Sequence, residues 1–196
     1  VNAGGAILLS SSATNCTLSD SVFTKNAAPK DSGGGIYWSG ANGILKGSTF
    51  INNTSNNAGA VSWGKTNGIA TDCTFTDNVA TNLGGSIHWW SDNGKLIDCT
   101  FTRNTAKQGG ALHLPYTTPI INCTFNNSNW IKSNGIYTTA HLIINGGSGI
   151  VDIVTSNTIS GISIVVLNNE TYYYPPNSNI NLHDKNYKKN LMKTIK

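Results

Sequence analysis

The sequence predicts an all-β protein, a parallel β-helix solenoid of about five regular coils followed by two looser coils. Three observations predict this fold. A motif of small residues closed by an apolar residue recurs at steps of 29, 25, 26 and 25 residues, and such a period is typical of a solenoid. A second motif, Phe-x-x-Asn, repeats in phase with the first. The runs around both motifs are β-rich and bounded by turn residues, and neither shows helical spacing.

The first motif supplies an apolar anchor in every coil. It begins as Gly-Gly-Ala-Ile at Gly4. Its closing residues are Ile7, Ile36, Val61, Ile87 and Leu112. Because side chains two apart in a strand share a face, the residue two after each anchor should also point inwards. That row reads Leu9, Trp38, Trp63, Trp89 and Leu114. We therefore expect an internal stack of Trp rings.

The second motif supplies two further internal rows. Its aromatic residues are Phe23, Phe50, Phe75, Phe101 and Phe125, and the polar residues three positions later are Asn26, Asn53, Asn78, Asn104 and Ser128. A third apolar row, five residues before each Phe, contains Leu18, Leu45, Ala70, Leu96 and Ile120. We expect the Asn side chains to form an inward amide ladder from coil to coil. The first glycine of each anchor motif should occupy a corner with positive φ or close backbone approach.

The paired Gly-Gly-Ala-Ile and Phe-x-x-Asn motifs, together with Cys-Thr-Phe at Cys73, Cys99 and Cys123, carry a resemblance. They resemble the repeats of adhesin-like surface proteins of methanogenic archaea, and also those of the polymorphic outer-membrane proteins of chlamydiae. The resemblance covers residues 1–128. It implies a secreted, extracellular β-helix that is displayed on the cell surface and used in cell adhesion. The family pattern specifies no catalytic residue.

The composition argues against nucleic-acid or direct membrane binding. Only 11% of the residues are charged, and the formal net charge is +4. Residues 1–182 contain eight basic and eight acidic side chains, whereas the tail after Leu182 contains five Lys against Asp184. The solenoid body is therefore neutral, and a basic binding face is not expected on it.

Three segments follow from the pattern: regular coils in residues 1–128, looser coils or a small β cap in 129–176, and a Lys-rich tail, linker or cap in 177–196. The period continues after the aromatic rows end, because Ile136 falls 24 residues after Leu112. A continuing solenoid and a separate small β-domain both fit this segment. The chain also starts inside a repeat, so we expect further coils or a cap on that side of the natural protein.

The four cysteines do not predict disulfides. Cys73, Cys99 and Cys123 each lie two residues before a Phe, in one internal row that also contains Ser21 and Ser48. Adjacent coils lie about 4.8 Å apart, which exceeds the usual Cβ separation of a disulfide, about 3.5–4.5 Å. We expect buried free thiols in this row, with Cys16 apart from it.

Catalysis by a β-helix needs clustered carboxylates and a basic residue that can take a proton. Asp72 and Asp98 share an outward row one coil apart, but Gly47 and Asn122 fill the same row, and Arg103 is the sole arginine of the chain. We expect no catalytic residue and no enzyme activity. A polysaccharide lyase or hydrolase is the less favoured alternative.

A metal site is not expected either. His88 and His113 share an outward row with Tyr37 and Ser62, and both imidazoles should face solvent. Zinc sites use three or four ligands, and no third ligand is near by sequence spacing. We therefore predict no metal and no cofactor.

The same outward face is the best candidate for ligand contact. Trp90 lies three residues after its anchor and should be exposed. We define the aromatic strip as Tyr37, His88, Trp90, His113 and Tyr116. Flat rings beside hydrogen-bonding groups suit sugar rings and protein contacts. The alternative is a set of scattered exposed aromatics with no ligand.

Several Asn-x-Ser/Thr sequons occur, as chance allows in a chain with 27 Asn. Asn122, outward by parity, and Asn169, in a predicted turn, are the better candidates for glycosylation.

These observations favour a non-enzymatic cell-surface adhesin or stalk module that contacts glycans or proteins of other cells. A structural spacer or filament subunit, self-associating through coil ends, is the alternative. The sequence does not separate these two functions.

Overall fold

The structure, a computed structural model, describes residues 3–126, 135–140, 142–155, 163–167, 170–174 and 179–183. All regular elements in these ranges are β-strands, and strands related by one repeat pair in parallel. The predicted parallel β-helix is therefore confirmed. The described part of the chain contains no helix long and apolar enough to cross a membrane.

The strands follow the repeat. Coil one contains β1 (Ile7–Leu9), β2 (Thr17–Ser19), β3 (Val22–Thr24) and β4 (Ala27–Ser32). Coil two contains β5 (Ile36–Trp38), β6 (Ile44–Lys46), β7 (Thr49–Ile51) and β8 (Thr54–Asn57). Coil three contains β9 (Val61–Trp63), β10 (Ile69–Thr71), β11 (Thr74–Thr76) and β12 (Val79–Leu83). Coil four contains β13 (Ile87–Trp89), β14 (Lys95–Ile97) and β15 (Thr100–Thr102). Coil five contains β16 (Leu112–Leu114), β17 (Ile120–Ile121) and β18 (Thr124–Asn126). The later strands are β19 (Ile136–Thr138), β20 (Leu142–Asn145), β21 (Ser148–Thr155), β22 (Ser163–Leu167), β23 (Glu170–Tyr174) and β24 (Asn179–His183).

Three sheets enclose the core, and each is named here by its inward row. The Trp face contains β1, β5, β9, β13, β16 and β19; the Leu face contains β2, β6, β10, β14, β17 and β20; the Phe face contains β3, β7, β11, β15 and β18. A short fourth sheet of β4, β8 and β12 links the Phe face to the next anchor. Because register is kept across coils, equivalent residues stack directly over one another.

The predicted aromatic stacks are present. The ring centroids of Trp38 and Trp63 lie 4.6 Å apart at 6° between planes, and those of Trp63 and Trp89 lie 4.4 Å apart at 4°. All three indoles are fully buried, so the inward assignment is confirmed. On the Phe face, the rings of Phe50 and Phe75 stack at 5.0 Å, and the stack extends from Phe23 to Phe125.

The turns beside the indoles require glycine, a feature that the repeat pattern does not predict. The turn after each Trp crosses the edge of its ring at Gly43, Gly68 and Gly94. A Cβ at Gly68 would collide with the indole of Trp63, so these turns need glycine for close approach rather than for φ. The indole Nε1 atoms of Trp38, Trp63 and Trp89 have no hydrogen-bond partner there.

The amide ladder is also confirmed. The backbone N–H and the side-chain Nδ2 of Asn53 both donate to Oδ1 of Asn78, at 3.0 and 2.9 Å. Asn78 makes the same pair of bonds to Asn104, at 3.0 Å each. Nδ2 of Asn78 also donates to the Phe50 carbonyl at 3.0 Å. Each buried amide is thus satisfied by neighbouring coils, as buried polar groups must be. The predicted end of this row, Ser128, lies outside the described residues.

Corners of each coil take positive φ. The first residues of the anchor motifs do so at Gly4, Gly33, Gly84 and Gly109, and Ala58 adopts the same conformation at φ 58°. The outward Asp row is a second such column, because Asp72 and Asp98 have φ of 55° and 52°. Asp tolerates this region better than most non-glycine residues, which gives these two carboxylates a backbone role.

The solenoid register continues beyond coil five. Ile136 pairs in parallel with Leu112, and Ile144 pairs with Ile120. The long strand β21 pairs first with β18 and then with β19, so it joins the Phe and Trp faces. β23 then pairs antiparallel with β22, and β24 antiparallel with β21. The last parallel strands are therefore followed by two antiparallel ones, of which β24 lies in the segment expected as tail or cap.

The cysteine row has a simple polar role. The thiols of Cys73, Cys99 and Cys123 donate to the carbonyl two residues earlier, at 3.1, 3.3 and 3.4 Å. The hydroxyl of Ser48 makes the same contact at 2.9 Å, which explains why either Ser or Cys can occupy this row. All four cysteines are free in the structure. The Cys99 thiol and burial raise the pKa of Cys73 well above its usual range.

We expect Cys73, Cys99 and Cys123 to be reduced and unreactive in the folded protein, because all three are buried. A raised pKa also keeps Cys73 and Cys99 as thiols. Iodoacetamide should label none of the three under native conditions and all three after unfolding without reductant, as read by peptide mass. Thiols that stay unlabelled after unfolding would reveal disulfides and contradict this expectation.

Candidate functional site

The centre of the Trp face carries one outward row. The middle residues of its strands lie in register from coil to coil. In order they are Leu8, Tyr37, Ser62, His88, His113 and Tyr137. Side chains at these positions point away from the Trp stack because strand parity alternates. Tyr37, His88 and His113 of the aromatic strip belong to this row, and Trp90 lies at its edge.

Rings at one end of the row contact one another in sequence. The Trp90 and His88 centroids lie 5.4 Å apart at 23° between planes. His88 meets His113 edge to face at 4.7 Å and 85°. His113 then stacks on Tyr137 at 5.1 Å and 8°. Four aromatic side chains from three coils thus form one continuous cluster, which we name the ring cluster.

The expectation that both imidazoles face solvent is wrong. His88 and His113 are each only 7% exposed, although they point outwards from the core. The physical reason is lateral: Trp90 lies against His88, and Tyr137 lies against His113. At these two positions the outward face is therefore covered by neighbouring side chains instead of being solvated.

Burial changes the acid–base behaviour of the two imidazoles. Desolvation, with a smaller contribution from the charge of His113, lowers the pKa of His88 to about 3. Desolvation alone lowers the pKa of His113 to about 4. Both rings are therefore neutral near pH 7, which favours their close stacking.

Acid should destabilise the protein through this pair. Their folded-state pKa values lie below the ordinary value of 6.5, so the unfolded chain binds more protons in that interval. The contribution of the two neutral imidazoles to the free energy of unfolding is fully present above pH 6.5. It is lost progressively as pH falls towards 4 and then 3. We expect urea unfolding to show a loss of about 2 kcal/mol between pH 7 and pH 5.5.

The variant His88→Gln with His113→Gln is the control for this pH dependence, since it removes both titrating groups. Its unfolding free energy should vary less with pH over the same interval. An equal slope in wild type and variant would show that other groups cause the loss.

Trp90 and Tyr116 are exposed as expected, at 47% and 46%. Trp90 occupies a column that is filled by Ser39 and Gly64 in the preceding coils, where each backbone N–H donates to the carbonyl one coil away. One large ring therefore stands where the earlier coils have small residues. Gly64 leaves space for it, since Nε1 of Trp90 lies close to that glycine.

The structure does not bring the whole aromatic strip together. Tyr37 is separated from His88 by the strand that carries Ser62, so two strand spacings, roughly 9–10 Å, lie between them. Tyr116 makes no ring contact with the others among the described residues. The strip thus consists of the ring cluster with Tyr37 and Tyr116 to its sides.

Two polar atoms next to the ring cluster are buried without a partner in the described part of the chain. They are Oγ of Ser62 and Nδ1 of His113. Buried polar atoms in folded proteins are nearly always hydrogen-bonded. The ring cluster therefore has hydrogen-bonding capacity that the protein itself does not use.

In the outward Asp row, the Asp98 carboxylate is held by a hydrogen bond from the next coil. Oδ1 of Asp98 accepts a hydrogen bond from Nδ2 of Asn122 at 2.8 Å, and Asn122 has φ of 57°. The described ranges hold no cluster of three or more His, Cys, Asp or Glu side chains that could bind a metal ion. Asn122 is exposed, which keeps it accessible as a glycosylation candidate, and Asn169 lies outside the described residues.

Two residues of the site were missed in the sequence. Tyr137 follows the anchor Ile136 as His113 follows Leu112, so the continuing period could have placed it in the row. Ser62 was placed in the row but given no role, because only the structure shows that its hydroxyl is buried without a partner.

The fold and the site define a repeat protein, a β-solenoid whose outward face carries a compact ring cluster. Two segments, residues 72–88 and 98–115, match the Chlamydia polymorphic membrane protein repeat. Each segment runs from an outward Asp through Phe-x-x-Asn to the next anchor motif. The repeats of this chain are thus similar to those chlamydial repeats. No curated protein and no solved structure matches the chain.

Proposed function

We propose that this chain is a non-enzymatic adhesin or stalk module of a cell surface, and that it contacts glycans or proteins of other cells. The match to a polymorphic membrane protein repeat supports display outside the cell, since that family is named for a membrane protein. The resemblance to adhesin-like proteins of methanogenic archaea supports the same role through sequence motifs alone.

The ring cluster is the observation that carries this proposal. Trp90 is half exposed at the edge of neutral, closely packed rings. A flat exposed ring suits the apolar face of a sugar, or a side chain of a protein partner. Modest affinity at one module is raised by many copies on one cell.

A structural spacer or filament subunit is the second candidate. The observation that favours it is the coil-to-coil satisfaction of the buried Asn ladder and the ring stacks, which gives a stiff rod that needs no ligand. Self-association through coil ends belongs to this candidate. A lyase or hydrolase has less support, because the Asp72 and Asp98 row serves strained corners.

Binding of the chain to a panel of cells and immobilised glycans tests the proposal. Trp90→Ala should weaken the strongest interaction about tenfold or more, because one exposed aromatic anchor is worth roughly 1–3 kcal/mol. His88 is left unchanged, since it is buried and its replacement would also disturb packing. The melting temperature should change little.

Val79→Ala is the matched control, because Val79 is a similarly exposed apolar side chain, at 40%, on a different sheet. It should leave binding unchanged, and so should Asp98→Asn. Equal binding by wild type and Trp90→Ala would reject the ring cluster as the contact site. Loss of binding with Asp98→Asn alone, or cleavage of an acidic polysaccharide, would favour an enzyme.

A further inference from the structure

The turns between the Trp and Leu faces form a column of asparagines in coils one to four. Asn15, Asn42, Asn67 and Asn93 all have positive φ, between 55° and 60°. Nδ2 of Asn42 donates to Oδ1 of Asn15 at 3.0 Å, and Nδ2 of Asn67 donates to Oδ1 of Asn42 at 2.9 Å. The backbone N–H groups of the first three also donate to the next turn. This is an external amide column, distinct from the buried ladder.

The side-chain bonds of the column stop at Asn67, and its backbone bonds stop at Asn93. Among the described residues, neither the backbone N–H nor the side chain of Asn93 has a hydrogen-bond partner, and Oδ1 of Asn67 accepts no bond. The length of the next turn accounts for the missing backbone bond of Asn93. His88 pairs with His113, and Leu96 pairs with Ile120. The two paired residues are eight residues apart in coil four and seven residues apart in coil five. The shorter turn runs from Pro115 to Pro119 and supplies no fifth amide.

A groove remains where the fifth amide would lie. Its volume is about 510 Å³, and its polar lining includes Asn67, Asn93, Lys95 and Thr117. Ile69 and Pro119 supply an apolar surface beside them. The open end of the column thus offers amide donors and an amide acceptor next to a small apolar patch.

We propose that this corner groove binds an N-acetylated amino sugar, whose acetamido group continues the interrupted amide column. Its carbonyl accepts from Asn93, and its N–H donates to an Asn oxygen. The acetyl methyl packs against Ile69 and Pro119, and Lys95 and Thr117 bind ring hydroxyls. Asp92 in the same turn balances the charge of Lys95, which favours a neutral sugar over a uronic acid.

The inference deepens the proposed surface-contact function by naming a ligand class, and it adds a site separate from the ring cluster. The probe is the β-1,4-linked trisaccharide of N-acetylglucosamine, titrated into the full 196-residue chain and followed by amide NMR shifts. Shifts should concentrate at Asn67, Asn93 and Lys95. The deacetylated trisaccharide and the glucose trisaccharide should bind about tenfold more weakly, since each lacks the amide bonds.

Asn93→Gly tests the site itself, because glycine keeps the positive φ while removing the carboxamide. It should weaken binding of the acetylated trisaccharide about tenfold. Asn15→Gly makes the same change in the intact part of the column, without contact to a groove residue, and should leave binding unaltered. Circular dichroism and melting temperature verify that both variants fold.

Several outcomes overturn the inference: no binding of the acetylated trisaccharide at millimolar concentration, equal binding of the deacetylated one, or equal loss in both variants. Shifts confined to Trp90 and its neighbours would also overturn it. In each case cell or glycan binding that depends on Trp90 still supports the proposed function. Conversely, sugar binding lost only in Asn93→Gly supports the groove even when Trp90→Ala has no effect on cells.

Discussion

Replacing Phe75 by Ala should lower the free energy of unfolding by about 3–5 kcal/mol. Phe75 is fully buried and stacks on Phe50 at 5.0 Å and on Phe101 at 5.1 Å. The substitution removes one ring and leaves a cavity between two others. Register fixes the backbone in three consecutive coils, so the gap cannot close without disturbing them.

The damage should extend to adjacent coils, because repeat units share their stabilising contacts with their neighbours. Hydrogen exchange of β7 and β15 should accelerate together with that of β11, while denaturant titration gives the global loss. Phe75→Leu is the graded control and should cost clearly less. A loss below about 1 kcal/mol for Phe75→Ala would mean that the stack contributes little beyond filling space.

Replacing Asn78 by Ala should cost a comparable amount, about 3–5 kcal/mol, for a different reason. Oδ1 of Asn78 accepts from both the N–H and the Nδ2 of Asn53, and its own Nδ2 donates to the Phe50 carbonyl. The substitution removes these three buried bonds, at about 1–3 kcal/mol each before relaxation. It leaves the N–H of Asn53 without a partner, whereas Nδ2 of Asn53 keeps its bond to the Phe23 carbonyl. Chemical denaturation monitored by Trp fluorescence measures the loss.

Asn82→Ala is the matched control, since Asn82 donates a coil-to-coil amide bond to Asn57 at 3.1 Å in a half-buried position. Water can replace that bond, so the change should cost less than about 1 kcal/mol. Similar losses for the two variants would show that burial does not govern the strength of these ladders.

The fold could be predicted because each position of a solenoid repeat recurs in the same environment in every coil. Strand parity places Trp63 and its equivalents in the other coils inside, and it places Ser62 and its equivalents outside. One alternation of side chains therefore determines both faces of the sheet. The Phe and Asn rows are predicted equally well, since each residue is confirmed by its neighbours at the same position in the repeat.

The candidate site could be predicted only in part. Parity gives the direction of His88 but not its burial, which depends on the conformation of Trp90 and on a contact from coil five. Polar atoms without partners, such as Oγ of Ser62, arise from packing that no periodicity encodes. The corner groove depends on one residue fewer in a turn, a difference that is visible in the sequence but has no meaning before register is known.

The outward row of the Trp face shows what this scaffold permits. Its six positions hold Leu, Tyr, Ser, His, His and Tyr, while the anchor that precedes each of them remains apolar. Backbone pairing and inward stacks hold the strands, so an exposed position of this row, such as Leu8, can change with little effect on folding, whereas the buried His88 and His113 cannot. A new recognition surface could therefore be designed on this row by substituting one strand position at a time, with neighbouring positions about 4.8 Å apart.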